Sequence, residues 1–375
     1  MLPLWGARGI RESGNGNCSN GTDLSTGRAH APRCFLLLGI RCGGPSQLEA
    51  LIYYRWGVGM TVPIIPSWTL SANFDSFFKR LNPSPTFEGV ASSQYNSIKS
   101  LIENPDGNAR ELSPICFLQG SYRQHTAIYT INDVDIITLC RLWYPGTGSG
   151  HSWSRNEIFD KIAAPLLNDG RYRDKVRYNQ QSMCIKLDLG IKVEILPVVY
   201  KAGNNDPEWE PFCLYRPESA QWVDGFARYH QALLTEKNKA NRTNGNFIRA
   251  IKVLKHLRSR IGLDAVSFHM ECLLFSLDDN LFQGGPADYI ASILVCIAST
   301  AAPDWYSRRI MTPCGDRDIF VESEWRRQGW ETFHNFLSIW AGLSRRANQA
   351  NDKDEAIRLW QTLLGEDLFP TQVSI

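Results

Sequence analysis

The apolar residues of this chain change period part-way along, and that change limits the fold more than any other feature. Residues 115–118 form a short apolar run ending in Gly120-Ser121, 131–139 read as a strand, and 183–187 with 191–200 read as a hairpin broken at Leu189-Gly190. Beyond about residue 215 the pattern becomes helical, with apolar stripes over 247–257, 266–277, 290–299, 330–343 and 356–364. Two helical patterns also precede the strands. Leu70, Phe74, Phe77, Phe78 and Leu81 make the first; Phe87, Ala91, Tyr95, Ile98 and Ile102 make the second, with Ser84 and Pro85 as cap and first-turn residue. The expected fold is α+β: a mixed unit with a small sheet over 60–214, followed by an all-helical domain over 215–375.

A chain of 375 residues has room for such a division at roughly 150 residues per domain. Forty basic residues against 38 acidic ones leave a net charge of +2, which argues against a surface built throughout to coat nucleic acid or an anionic membrane. No clean apolar run, 35–38 included, comes near the ~20 residues of a membrane span. Ten cysteines include no C-x-x-C pair; Cys116, Cys140, Cys272 and Cys296 sit in apolar runs and read as reduced core thiols of a cytoplasmic protein, without a zinc or disulfide framework. Seven histidines show no metal-ligand spacing. Residues 1–59 differ from the rest: they hold 11 of the 29 glycines, six arginines and no lysine, and no periodicity lasts. They read as a disordered arm or an upstream extension, with Met60 as the expected functional start.

Chemistry is concentrated in the strand segment. Twelve residues past Ser121 comes Asp133-Val134-Asp135. Alternate residues of a strand share a face, so the two carboxylates project together while Val134 and Ile136 enter the core. Carboxylates so close repel unless something neutralises them, and a divalent cation does so. Glu194, between Val193 and Ile195 in a later apolar strand, is placed to complete a two-metal clamp on a phosphoryl group. A paired aspartate alone reads as a solvated strand edge, and Gly-Ser as an ordinary turn. The conjunction of all these features favours function. By contrast, Gly146-Thr147-Gly148-Ser149-Gly150-His151 lacks the Lys-Ser/Thr of a phosphate loop and reads as a connection, and the tryptophans from Trp305 to Trp360 read as packing.

Gly120-Ser121-Tyr122-Arg123-Gln124-His125-Thr126-Ala127-Ile128 with Asn132-Asp133-Val134-Asp135-Ile136 resembles the nucleotidyltransferase signature of the DNA polymerase β superfamily. More narrowly, it resembles the bacterial cyclic-oligonucleotide synthases related to cyclic GMP-AMP synthase. Val193-Glu194-Ile195-Leu196-Pro197-Val198 resembles that family's third-carboxylate strand, and the 247–257 segment its triphosphate-holding helix. Ser267-Phe268-His269-Met270-Glu271 resembles its Ser-aromatic-His segment, and 356–370 the tail of its helical domain. The resemblance covers roughly 70–370 and departs at His125, where relatives often carry glycine, and at Glu194, often aspartate; the ending Val373-Ser374-Ile375 gives no support for regulation by conjugation.

The resemblance implies a polymerase-β-type core with Asp133, Asp135 and Glu194 as catalytic metal ligands. It implies nucleotide contacts from Gly120, Ser121, Lys252, Lys255, Ser267 and Phe268; for the lysines the plain alternative is a solvated helix face, and for Phe268 it is core. It further implies two Mg²⁺ ions, with Mn²⁺ as a substitute, and synthesis of a cyclic di- or trinucleotide from nucleoside triphosphates in antiphage signalling. Neither a membrane nor an obligate nucleic acid is expected as a partner, and a regulatory protein partner is left open. The alternatives are a template-independent linear or RNA-end nucleotidyltransferase, or a catalytically silent nucleotide or RNA sensor; the intact acidic triad disfavours the latter.

Overall fold

The computed structural model describes residues 68–144, 152–202, 211–263 and 265–372. The N-terminal stretch 1–59, the glycine-rich connection 146–151 and the last three residues lie outside them. Strands β1 (Ile115–Gln119), β2 (Asp133–Tyr144), β3 (Val176–Arg177), β4 (Ile185–Asp188), β5 (Lys192–Lys201), β6 (Phe212–Arg216) and β7 (Gln221–Gly225) form one seven-stranded sheet. Its order is β1-β2-β5-β4-β3, with β6 joining β5 and β7 joining β6. The β2–β5 pair is parallel and the others are antiparallel. One edge of β5 is shared: β4 pairs with it between Lys192 and Ile195, β6 between Val198 and Tyr200.

Alternation along β2 and β5 sorts the sheet's two faces. Val134, Ile136, Cys140, Val193, Ile195 and Val199 pack on one side with residues of α2 (Pro85–Ile102) and α4 (Arg155–Asn168). Both helices start at serine caps: the Ser84 hydroxyl accepts from Phe87 N at 3.1 Å with Pro85 at the first position, and Ser154 forms a capping box with Glu157. On the opposite face Ile137, Leu139, Val198, Tyr200 and Phe212 form a smaller apolar cluster.

The second unit is helical, built from α5 (Ala227–Lys237), α6 (Asn246–Arg260), α7 (Ser267–Ser276), α8 (Pro286–Ala298), α9 (Arg327–Asn348) and α10 (Lys353–Leu364). The expected tryptophans fill it: Trp305, Trp330 and Trp360 are fully buried, and Trp305 meets Phe320 and Trp330 at 5.7 and 5.6 Å. Cys116, Cys140 and Cys272 are buried as expected for small hydrophobes, while Cys296 is half-buried against the helical core.

Two expectations are corrected. The sheet does not end near residue 214: that division falls inside β6, and β7 carries the sheet to Gly225. The hairpin is short, and β7 is only partly buried, so it lacks the apolar run that marks the inner strands. The first helix, α1 (Ser71–Leu81), belongs to the helical core despite its place in sequence. Phe74 packs edge-on against Trp360 and Phe369, both at 5.0 Å, and Asn73 Nδ2 donates to the Pro370 carbonyl at 2.8 Å.

Candidate active site

β1 ends at Gln119, and the chain turns sharply into the one-turn helix α3 (Gly120–Arg123). Gly120 has φ +73°, and a Cβ there would stand 1.9 Å from Asp135 Oδ2, so the backbone can lie against that carboxylate only as glycine. The Ser121 carbonyl accepts from Thr126 N and Ala127 N, both at 3.0 Å, which folds the loop back on itself. His125 holds φ +57° within that loop. This is the left-handed region, in which histidine is tolerated better than most side chains and glycine best.

Parallel register sets the three acids. Asp133 lies opposite Lys192 and Asp135 opposite Glu194, so Asp135 and Glu194 are lateral neighbours on one face, with Asp133 two residues up the strand. Burial raises Asp135 first, and repulsion from Asp133 and Glu194 adds to it; although Lys255 opposes the shift, the carboxyl is pushed up to about 7. These are hard oxygen donors crowded beyond what water alone relieves, and the donor set fits a divalent cation. The expected clamp is not preassembled, however. Among the described residues no three His, Cys, Asp or Glu side chains stand as a ready ligand cluster. The Glu194 carboxylate is turned to Lys186 Nζ at 3.0 Å, and the Cys184 thiol donates to its other oxygen at 3.7 Å. A carboxylate repelled by two others settles on the nearest cation, and the extra methylene of glutamate gives it the reach.

The acids open into a cleft of about 1570 Å³ between the two units. Gly120, Ser121, Asp133, Asp135, Glu194, Lys255, Ser267 and Phe268 all line it. Lys252 does not; its ammonium donates to Asn82 Oδ1 at 2.6 Å. Ser267 opens α7, and its hydroxyl accepts from Arg258 at 3.3 Å. The Phe268 ring stands 5.1 Å from that of His230, with the Arg317 guanidinium 5.2 Å from its centroid. Lys255 is placed differently from a phosphate-facing cation: it is 3% exposed. Its Nζ donates to Glu271 Oε1 at 2.7 Å, to Thr126 Oγ1 at 2.8 Å and to the Thr126 carbonyl at 3.3 Å.

Glu271 and Thr126 lie within the two motifs that resemble the family, but nothing in either motif marks them as partners of Lys255. Glu271 stands one helical turn past Ser267, and that spacing was the available signal. Burial pushes Glu271 up, but Lys255 and then His230 overcome it and hold the carboxyl below its usual range. The cluster bonds the loop after Ser121 to α6 and α7, and so ties sheet to helices.

Strand-borne acids beside a Gly-Ser turn, facing a helical unit across a cleft, define the class: a nucleotidyltransferase. The Second Messenger Oligonucleotide or Dinucleotide Synthetase domain matches residues 68–238, and the cGAS/DncV-like nucleotidyltransferase C-terminal helical domain matches 234–340. Together they run without a gap over well more than half of the chain, which belongs to the family of cGAS/DncV-like nucleotidyltransferases. The cyclic UMP-AMP synthase of Rhodothermus marinus is 22% identical over 286 residues, 68% of this chain and 93% of that protein. Among solved structures, CdnC of E. coli MS115-1 in complex with HORMA-deltaN superposes with TM-score 0.60 at 15% identity, covering 80% of this chain and 98% of that one. The R. marinus c-UMP-AMP synthase with Apcpp and Upnpp gives TM-score 0.57 at 19% identity, covering 73% and 97%. Among the described residues, no helix is long and apolar enough to cross a membrane.

Proposed function

We propose that this chain joins nucleoside triphosphates into a cyclic di- or trinucleotide, with Mg²⁺ as the working cation, and that the product is a second messenger of antiphage defence. One observation carries the reading: the β2–β5 register that puts Asp133, Asp135 and Glu194 on one face of the sheet, with Asp135 against the Gly120 turn. The family supports the product class, and the Rhodothermus relative is itself named for a cyclic dinucleotide.

Asp133, Asp135 and Glu194 would hold the divalent ions, which supply charge neutralisation of the phosphates and acidify the attacking ribose hydroxyl. The chain's own groups do the remaining work. The Ser121 hydroxyl and the amides of the Gly120 turn face the phosphates. Ser267 approaches them from the helical side, and Lys255, paired with Glu271, keeps the phosphate loop in place. Phe268 offers a ring face for a base. A cleft of about 1570 Å³ has room for two nucleotides, and a chain at +2 has no general attraction for long nucleic acid.

The test is incubation of the full chain with labelled nucleoside triphosphate mixtures and Mg²⁺, phosphatase digestion and mass analysis. The expected product is phosphatase-resistant, with the mass of two or three nucleotides, and it disappears in Asp135→Asn. A ladder of phosphatase-sensitive linear oligomers, or activity that requires added RNA, overturns the reading.

A further inference from the structure

Glu194 has a resident cation. Lys186 on β4 lies directly opposite Glu194 on β5, and its ammonium is 3.0 Å from Oε1. Directly opposed side chains of an antiparallel pair share a face, so Lys186 points to the same side of the sheet as the acids. Ile185 and Leu187, its neighbours along β4, are buried on the other face. The Lys186 side chain is 52% exposed against 14% for Glu194, so the lysine reaches inward from solvent to hold a half-hidden carboxylate. The Cys184 thiol holds the second oxygen. Both oxygens of Glu194 are therefore already engaged, although the β2–β5 register makes it a neighbour of Asp135.

We propose that Lys186 is a positioning residue that competes with divalent cations for Glu194 and thereby sets the metal affinity of the site. The inference rests on the metal role proposed above for the three acids. To join Asp135 on one ion, Glu194 must rotate off Lys186, and a divalent charge must outbid a single ammonium that is already bonded. An exposed ion pair contributes about 0.2–1 kcal/mol. Removing it should therefore tighten metal binding by roughly 1.4- to fivefold by that constant.

The measurement is Mn²⁺ uptake by the full chain without nucleotide, with free Mn²⁺ read by electron paramagnetic resonance. Lys186→Met is expected to bind Mn²⁺ more tightly than wild type by roughly 1.4- to fivefold, and Lys186→Arg, which keeps the charge, to bind it as wild type does. In a Glu194→Asp background, where the shorter carboxylate no longer reaches Lys186, the Lys186→Met effect should vanish. Unchanged or weaker binding by Lys186→Met overturns the inference. So does an equal gain in both backgrounds, which would mark a diffuse field rather than a held carboxylate. If Asp135→Asn takes up as much Mn²⁺ as wild type, the metal role itself falls and this inference with it. That result is told apart by the wild-type and Asp135→Asn pair alone.

Discussion

Replacing Gly120 by alanine would drive a methyl group into the Asp135 carboxylate in a backbone region that already disfavours side chains. The conformational part alone costs about 1–2 kcal/mol. Gly120→Ala is expected to lower the melting temperature and to abolish turnover, as read by thermal unfolding and product mass; a stable, active variant would contradict the packing of Gly120 on Asp135. Glu271 offers a different test. Its folded pKa lies below the unfolded one, so its contribution is fully present above about pH 4.5 and is lost as pH falls through the lowered folded value. Breaking such a buried pair costs about 3–5 kcal/mol near neutrality. In denaturant unfolding, Glu271→Gln should be destabilised at pH 7 and should show a shallower loss than wild type between pH 4.5 and 3. An unchanged acid limb would show that Lys255 and Thr126 do not depend on this carboxylate.

At the scale of elements, α2 begins at a serine whose hydroxyl meets Phe87 N, and Ser84→Ala should cost about 1 kcal/mol, measured by denaturant midpoint with the slope unchanged. That cap was legible in sequence because serine before proline, followed by a helical stripe, has one physical meaning. The acidic strand was legible for a similar reason: Asp133 and Asp135 alternate with Val134 and Ile136, and burial follows the same alternation. What escaped was pairing between distant segments. Nothing local in Lys186 announces that it will oppose Glu194, because register depends on how two strands meet rather than on either alone. Lys255 reads in sequence as a nucleotide contact or a solvated helix face, and its burial escaped for the same reason, since its partners Thr126 and Glu271 lie on other elements. The β6–β7 hairpin escaped because its partly buried outer strand has no long apolar run.

Over the whole molecule, the helical core is closed by both ends of the described chain. Phe74 lies between Trp360 and Phe369, and Phe74→Ala should cost about 3–5 kcal/mol, with unfolding monitored by tryptophan fluorescence of the helical unit. A small effect would mean that α1 is an ornament on that core rather than part of it. The sequence misplaced α1 because an amphipathic stripe shows that a helix must bury one face, without showing which core receives it. The Asn73–Pro370 bond joins residues 297 positions apart, and this separation has a consequence during synthesis. At ribosomal rates of about 5–20 residues per second, α1 leaves the exit tunnel roughly 15–60 s before Trp360, Phe369 and Pro370 do. Phe77 and Phe78 can meet His256 and Arg249 earlier, but through that whole interval Phe74 lacks the two rings that cover it, so the nascent chain presents an incompletely covered aromatic face until its last described helix is made.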